Sequence, residues 1–216
     1  MLSEKPYRIG NRRELFLDDF LTSTVSGDVA LRQHFPQAMP VSATQPTGSY
    51  MTMLQEDGLI RCYYRGLKPD YTGEQIDGHP GEYTGYAESN DGVAWRKSAL
   101  NPIFVQGREF YDKDRIGGCE VKQLPDGRFV MFYIGYEDID TARIGAAVSE
   151  NGVTNWRRLA SNPIVSPGVG KWDGDACYKP SVYRDEENKR WLLWYNGRLK
   201  GAEYIGLVIH KGLELK

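Results

Sequence analysis

The chain has 216 residues and a formal net charge of −2, and its 27 Lys and Arg residues are scattered along it. Because nucleic acids and anionic membranes bind clustered positive charge, we expect neither of them as a partner. Aromatic residues make up 12% of the chain, and 24 Gly and 11 Pro divide it into short segments. This composition is typical of a turn-rich β protein and argues against long helices.

Cysteine, histidine and the N-terminal sequence set further limits. Cys62, Cys119 and Cys177 are odd in number and widely spaced, so they predict neither a disulfide framework nor a close-spaced zinc motif. The 3 His residues are isolated, and we therefore expect no metal and no cofactor. The N-terminus of the chain lacks the uninterrupted apolar stretch of a signal peptide, which predicts a cytoplasmic protein.

The first predicted elements are two strands in residues 14–35, on either side of Ser26-Gly27. They belong to an N-terminal segment, residues 1–47. We expect this segment to complete the last unit, whose other strands come from the end of the chain, or to form a partial blade. Deletion of residues 1–35 would then lower the melting temperature sharply.

Three repeat units follow, each built from a strand, a polar turn and a second, aromatic-rich strand that ends in Gly. Asp57-Gly58 and Asp126-Gly127 are hairpin signals between alternating apolar residues. A third strand comes after each hairpin, and Gly145 and Gly206 occupy matching places in it, 61 positions apart. The units span about 48–104, 105–165 and 166–216, with hairpins at 49–66, 119–135 and 179–197.

The first two units continue through a tryptophan-containing turn to Asn-Pro-Ile, at 101–103 and 162–164, which predicts a fourth, outer strand. Four antiparallel strands per unit, repeated, predict an all-β fold: a β-propeller of the five-bladed type in a single domain, residues 1–216. The chain holds only about three and a half units, whereas propellers usually have at least four blades. The ring is therefore shortened, completed by residues 1–47, or completed by assembly with another chain.

The strand order predicts which residues share a face of this fold. Asp-Gly turns join first to second strands at one face, so the opposite face receives the starts of first strands and the second-to-third loops. The opposite face collects the carboxylates, guanidinium groups and aromatic rings that sugar-binding sites use. Its members are Arg65, Lys68, Asp70, Tyr71, Glu74, Asp77, His79, Asp112, Asp114, Arg115, Glu120, Tyr136, Glu137, Asp138, Asp140, Trp172, Asp173, Asp175, Tyr178, Lys179, Asn196, Arg198 and Glu203.

Two long stretches, GGCEVKQLPDGRFVMFYIGYED (117–138) and WDGDACYKPSVYRDEENKRWLLWYNGR (172–198), resemble the five-bladed propeller glycosidases, the group containing glycoside hydrolase families 32, 43, 68 and 130. Residues 12–35 resemble the start of bacterial proteins with a family 32-like N-terminal domain. The resemblance implies a glycosidase that cleaves a glycosidic bond in an oligosaccharide with a pair of carboxylates.

The resemblance also implies site residues. Glu120 falls where these families place an acidic residue at the start of an inner strand, and Asp173 and Asp175 resemble the acids that precede an inner strand. These three are the predicted catalytic residues. The predicted substrate-binding residues are Arg65, Tyr136, Glu137, Trp172, Lys179 and Arg198.

The sequence departs from the family pattern at two places. Val121 and Lys122 follow Glu120 where family 130 has Asp-Pro-Arg, which argues against phosphorylase activity. Thr47-Gly48-Ser49-Tyr50 stands where the hydrolase families usually supply a catalytic aspartate. A non-catalytic carbohydrate-binding propeller, or a partial propeller that assembles into a homo-oligomer, therefore stays open.

Each acidic residue also has a structural alternative. Glu120 could be a solvated residue at a strand end, and Asp175 could cap a turn through neighbouring backbone amides. Trp172 stands out as a candidate sugar platform because it does not follow the spacing of Trp95 and Trp156.

Overall fold

The computed structural model describes residues 48–67 and 81–215, together with Gly27, Thr44 and Pro46. All the strands of the described residues lie in one compact unit, Val41–Lys216, while the other unit, Met1–Pro40, is described only at Gly27. The strands predicted in residues 14–35 and the polar loop residues 68–80 lie outside the described residues. In the described part of the chain, nothing helical is long and apolar enough to cross a membrane.

In the described residues, eleven antiparallel strands form three sheets, one for each predicted repeat unit. In sheet 1 the order is β1 (Ser49–Glu56), β2 (Leu59–Leu67), β3 (Glu82–Ser89) and β4 (Arg96–Lys97). Sheet 2 repeats it with β5 (Arg115–Gln123), β6 (Phe129–Tyr136), β7 (Ala142–Ser149) and β8 (Arg157–Arg158). Sheet 3 has β9 (Ala176–Asp185), β10 (Arg190–Leu199) and β11 (Ala202–Lys211).

This arrangement confirms the all-β class and the four-stranded antiparallel unit in the first two repeats. The hairpin turns adopt the expected left-handed backbone at Gly58 (φ 80°) and Gly127 (φ 88°), a conformation that glycine adopts without steric cost. The predicted outer strands are present as β4 and β8, and each is only two residues long. A closed five-bladed ring and a single domain over residues 1–216 stay predictions.

The register of the central strands defines equivalent positions in the three sheets. Tyr63 of β2 lies between Thr52 and Tyr86, and Phe132 of β6 lies between Glu120 and Ala146. Trp194 of β10 lies between Ser181 and Leu207 in the same way. Cross-strand neighbours project from the same side of a sheet, so these three sets mark the same face of each sheet.

The first two of these faces are buried between sheets. Tyr63 and Tyr86 pack with Ile116, Cys119 and Val121 of sheet 2 in one apolar cluster. A second cluster joins residues of sheet 2, including Phe132 and Ala146, to Val182, Trp191 and Leu193 of sheet 3. Sheet 2 is therefore covered on both sides, which explains why seven of the eight residues of β6 are buried.

The equivalent face of sheet 3 is open. Its apolar side chains are exposed, and along β10 buried residues alternate with more exposed ones instead of forming a continuous buried run. Trp194 is 37% exposed, whereas Phe132 at the matching position is 2% exposed. The exposed apolar residues of this face are Tyr183, Trp194, Ile205, Leu207 and Ile209.

Candidate functional site

A polar cavity of about 380 Å³ lies where strands of all three sheets begin or end on the face opposite the Asp-Gly turns. The structure brings four of the predicted substrate-binding residues together in its lining: Arg65, Tyr136, Lys179 and Arg198. The lining also contains residues that the sequence placed on this face without assigning them a role: Arg115, Asp140, Tyr178 and Glu203.

Glu203, at the start of β11, is a half-exposed carboxylate held by several donors. The Tyr178 hydroxyl donates a hydrogen bond to Oε1, and Asn196 Nδ2 donates to Oε2 at 2.9 Å. Lys179 Nζ lies 3.7 Å from Oε2. These donors, Tyr178 first, hold the pKa of Glu203 below its usual value, because each stabilises the ionised form. Glu203 therefore presents a negative charge to the cavity at neutral pH.

A buried carboxylate anchors the cationic side of the cavity. Glu82 is almost fully buried, and its carboxylate lies 3.7 Å from Arg65 Nη1 and 3.8 Å from Arg115 Nε. The Arg115 guanidinium also stacks on the Tyr136 ring, 3.7 Å from its centroid, and donates to Asp114 at 2.5 Å. Because these contacts restrain both guanidinium groups, their positions in the cavity are set before any ligand binds.

Lys179 and Arg198 lie on the sheet 3 side of the cavity. Arg198 Nη2 donates to the backbone oxygen of Asp140 at 2.8 Å, which links β10 to the loop between β6 and β7. Lys179 has a left-handed backbone (φ 52°), an unusual conformation for a residue with a side chain. Strained backbone of this kind clusters at functional sites, although it does not by itself identify one.

Glu120 lines a second cavity, of about 350 Å³, that shares Tyr50 and Lys179 with the first. Its Oε2 accepts a hydrogen bond from the Val182 amide of sheet 3 at 2.7 Å, and its Oε1 lies 2.5 Å from Lys122 Nζ. The equivalent residue Thr52 links sheet 1 to sheet 2 in the same way, by donating to the Cys119 carbonyl at 2.8 Å. Glu120 is therefore a link between sheets, not a solvated strand end.

Asp173 and Asp175 line neither cavity. Asp173 is 7% exposed and accepts a hydrogen bond from the Tyr195 hydroxyl at 2.9 Å. Asp175 accepts from the Lys200 amide at 2.6 Å, which is the turn-capping contact expected of its structural alternative. Their catalytic role stays a prediction that these contacts do not support.

Trp172 and Glu137 also stay outside the cavity lining. Trp172 stacks on the Tyr195 ring, with centroids 5.7 Å apart and planes at 25°. It lies so close to Gly197 that a Cβ there would come within 2.3 Å of the indole ring. Glu137 pairs with Arg143 at 2.5 Å.

Trp172, which does not follow the spacing of Trp95 and Trp156, has a different counterpart in the preceding unit. Tyr111 and Asp112 stand 61 positions before Trp172 and Asp173. Asp112 accepts a hydrogen bond from Tyr133 at 3.0 Å, as Asp173 does from Tyr195. The aromatic-aspartate pair is thus a repeated element, and comparison of the two units at this spacing would have detected it.

A larger cavity, of about 570 Å³, is mostly apolar and lies apart from the polar cavity, at the outer junction of sheets 2 and 3. We place the candidate site in the smaller polar cavity, because recognition of a polar ligand requires hydrogen-bonding groups. No group of three or more His, Cys, Asp or Glu residues in the described part of the chain is arranged to hold a metal ion.

The chain is similar in sequence to proteins of bacteria and plants. No family model matches the chain. An uncharacterized protein of Mycobacterium tuberculosis is 30% identical over 162 residues, which cover 74% of this chain and 50% of that protein. The acid beta-fructofuranosidase of Solanum lycopersicum is 24% identical over 128 residues, 57% of this chain and 20% of the enzyme. The chain thus spans half the length of the mycobacterial relative.

Solved structures show where this fold recurs. A family 117 glycoside hydrolase of Zobellia galactanivorans matches with a TM-score of 0.59 and 16% identity, over 74% of this chain and 51% of that one. Fructan 1-exohydrolase IIa of Cichorium intybus matches with a TM-score of 0.57 and 17% identity, over 78% and 33%. A protein of the GH130 family matches with a TM-score of 0.55 and 18% identity, over 75% and 45%. The TM-scores show that these proteins share the fold of this chain, and at identities this low the matches show the fold alone.

Proposed function

We propose that this chain is a glycosidase-like protein that binds an oligosaccharide and cleaves a glycosidic bond in it, because solved glycoside hydrolase structures share its fold. The polar cavity lined by Arg65, Tyr136, Lys179, Arg198 and Glu203 is the proposed binding site. The observation that carries the proposal is that guanidinium, ammonium, carboxylate and phenol groups from three sheets converge on this one cavity.

The chemistry of the lining suits a sugar. Charged groups donate and accept hydrogen bonds with hydroxyls, and aromatic rings stack on the apolar faces of sugar rings. Tyr50 is 41% exposed at the edge of the cavity and provides such a ring. It occupies the start of β1, where the hydrolase families would place an aspartate, so in our proposal this position binds and does not react.

Hydrolysis of a glycosidic bond needs one protonated carboxyl group to release the leaving group and one ionised carboxylate to act as base or nucleophile. Glu203 is our candidate for the ionised member, since its hydrogen-bond donors favour the charged form. Glu120 in the adjoining cavity is our candidate for the second carboxyl group, and it must release Lys122 Nζ to take up a proton. Asp173 and Asp175 rank lower because they line neither cavity.

A panel of aryl-glycosides and oligosaccharides tests the proposal with wild type, Glu203→Gln and Glu120→Gln. We expect hydrolysis of at least one substrate by wild type and a loss of about 10²–10⁴-fold in each variant, the range for removal of a positioned acid or base. Glu187→Gln, which changes an exposed residue in the β9–β10 turn, is the matched control and should keep full activity.

The second candidate is a non-catalytic carbohydrate-binding protein. It is favoured by Tyr50 at the position of the family aspartate and by the engagement of Glu120 Oε2 with the Val182 amide. Saturable sugar binding without turnover, equal in wild type and Glu120→Gln, would support this candidate and exclude the enzymatic one. Arg198→Ala should then weaken binding.

A further inference from the structure

The charged groups that line the polar cavity differ in how they are compensated. In the described part of the chain, four cationic side chains and two carboxylates contribute to its lining. Arg115 Nη1 lies 2.5 Å from Asp114 Oδ2, and Lys179 Nζ lies 3.7 Å from Glu203 Oε2. These two cations therefore already have carboxylate partners within the chain.

Arg198, on the sheet 3 side of the cavity, is compensated less. Its Nη2 donates to the backbone oxygen of Asp140 at 2.8 Å, and a carbonyl oxygen carries no net charge. Among the described residues, the carboxylate that pairs with Arg198 is that of Asp140, at 3.9 Å and on a side chain that is 82% exposed. Water screens so long and exposed an ion pair, which then contributes little. The positive charge of Arg198 is thus largely unbalanced at the cavity wall.

Arg198 of β10 and Glu203 of β11 are cross-strand neighbours, but they are engaged differently. Glu203 accepts hydrogen bonds from Tyr178 and Asn196. Among the described ion pairs, Glu203 is joined to Lys179 and not to Arg198. An anionic group of a ligand can therefore bind Arg198 without displacing the donors of Glu203.

The guanidinium group of Arg198 also has the geometry for such a ligand. A guanidinium presents its N–H groups in a rigid planar fork. Within the described residues, the hydrogen bond to the Asp140 carbonyl engages Nη2. Two parallel N–H donors of the fork match the two oxygens of a carboxylate, and this bidentate pair is among the strongest hydrogen-bonded contacts of proteins. A sugar hydroxyl offers only one oxygen and no charge, so a carboxylate is the better partner.

We propose that the oligosaccharide bound in this cavity is acidic and that Arg198 binds the carboxylate of a uronic acid unit in it. The inference rests on the proposed function, because it names the substrate class of the same site. A uronic acid has a carboxylate where the corresponding neutral sugar has a hydroxymethyl group, so the two sugars are similar in size and differ in charge. Arg198 selects between them by charge, while Glu203 keeps its own donors.

Acidic oligosaccharides and their carboxyl-reduced forms test this preference, because reduction turns each carboxylate into a hydroxymethyl group and keeps the rings and linkages. Oligosaccharides of pectin, alginate and hyaluronan are the probes. Calorimetry uses the full 216-residue chain, so residues 68–80, which lie outside the described residues, are present in the experiment. We expect at least one acidic oligosaccharide to bind about tenfold or more tightly than its reduced form, the gain expected from a hydrogen bond between charged groups.

Variants of Arg198 test the assignment of the carboxylate to this residue. Arg198→Gln should weaken binding of the acidic form to the level of the reduced form. Arg198→Lys keeps the charge but not the planar fork, and it should retain part of the preference. Arg157→Gln is the matched control and should keep all of it, since Arg157 lies in β8, is mostly exposed and does not line the cavity.

The possible failures are distinguishable. Equal or tighter binding of the reduced forms, or a preference that survives in Arg198→Gln, would overturn the inference and leave the proposed oligosaccharide site standing. If wild type bound neither the acidic nor the reduced forms, both the inference and the proposed binding site would be overturned.

Discussion

Glu203 and Asp173 both accept a hydrogen bond from a tyrosine hydroxyl, yet their surroundings give them different roles. Glu203 lies half-exposed at the polar cavity, where its donors stabilise the ionised form and leave it accessible to a ligand. Asp173 is buried beside Cys177 and serves a repeated structural contact. The two acidic residues therefore differ in role because of their exposure and not because of their residue type.

We expect Tyr178→Phe to raise the pKa of Glu203 towards its usual value of 4.5, because the strongest donor to the carboxylate is lost. In wild type the lowered pKa means that Glu203 stabilises the fold above its ordinary titration range, and this contribution is lost as pH falls through the folded-state pKa. A carboxyl-carbon NMR titration measures the shift. Tyr183→Phe, on the open face of sheet 3, is the control, and an unchanged pKa in Tyr178→Phe would contradict the assignment.

All three cysteines should be unreactive in the native protein. Burial raises the pKa of Cys62 to about 11 and those of Cys119 and Cys177 to about 12, so the reactive thiolate is scarce at pH 8. A thiol reagent such as Ellman's should detect no thiol before denaturation and three after it, since all three are free. Rapid native reaction of any one would show that its sheet opens.

At the scale of strands, the same position has a different environment in each sheet. Phe132 and Trp194 are matched in register, but Phe132 packs on Trp191 of sheet 3 with ring centroids 5.6 Å apart. Trp194 faces outwards from the open side of sheet 3 and is more than a third exposed. The burial pattern of a strand therefore reports whether a neighbouring sheet covers it.

Phe132→Ala should lower the free energy of unfolding by about 3–5 kcal/mol, the cost of removing a buried aromatic side chain. In the monomer, Trp194→Ala should cost less than about 1 kcal/mol, because no other described sheet covers its face of sheet 3 and the ring is already in contact with water. Urea denaturation of both variants, at a protein concentration where light scattering gives the mass of the monomer, measures the difference. Equal losses under these conditions would mean that other residues of the same chain cover Trp194.

At the scale of the molecule, the described residues contain three sheets of a fold whose relatives are longer. The chain covers between 33% and 51% of the three solved structures compared above. One face of sheet 3 carries exposed apolar side chains that no other described sheet covers, and contiguous exposed apolar surface of this kind marks interaction sites. A second copy of the chain, placed face to face across a two-fold axis, would bury it symmetrically.

We therefore expect the mass measured by light scattering to rise with protein concentration. Trp194→Glu should abolish this rise, because it places a charge in the centre of the shared face. Val169→Glu is the matched control, since Val169 is 99% exposed and lies outside the face. A monomeric mass for wild type at every concentration would exclude homo-oligomerisation through this surface.

The sequence by itself determined the all-β class, the boundaries of the repeat and the face on which the polar residues gather. Each of these features can be detected along the sequence alone. The alternation of apolar residues and the Asp-Gly turns involve only a few neighbouring residues, and the spacing of 61 positions recurs regularly. Arg65, Lys179 and Arg198 could be assigned to one face on this basis because strand order places them at the same ends.

Only the tertiary structure decided what the acidic residues touch. The backbone amide of Val182, in the next sheet and 62 positions along the chain, donates a hydrogen bond to Glu120. The Tyr195 hydroxyl, 22 positions along the chain, donates a hydrogen bond to the buried Asp173. Glu203 was identified as a site residue only in the structure, where pairing of β9, β10 and β11 brings Tyr178, Lys179 and Asn196 to its carboxylate. A carboxylate's charge and accessibility depend on such neighbours across strands and sheets, which no local pattern specifies.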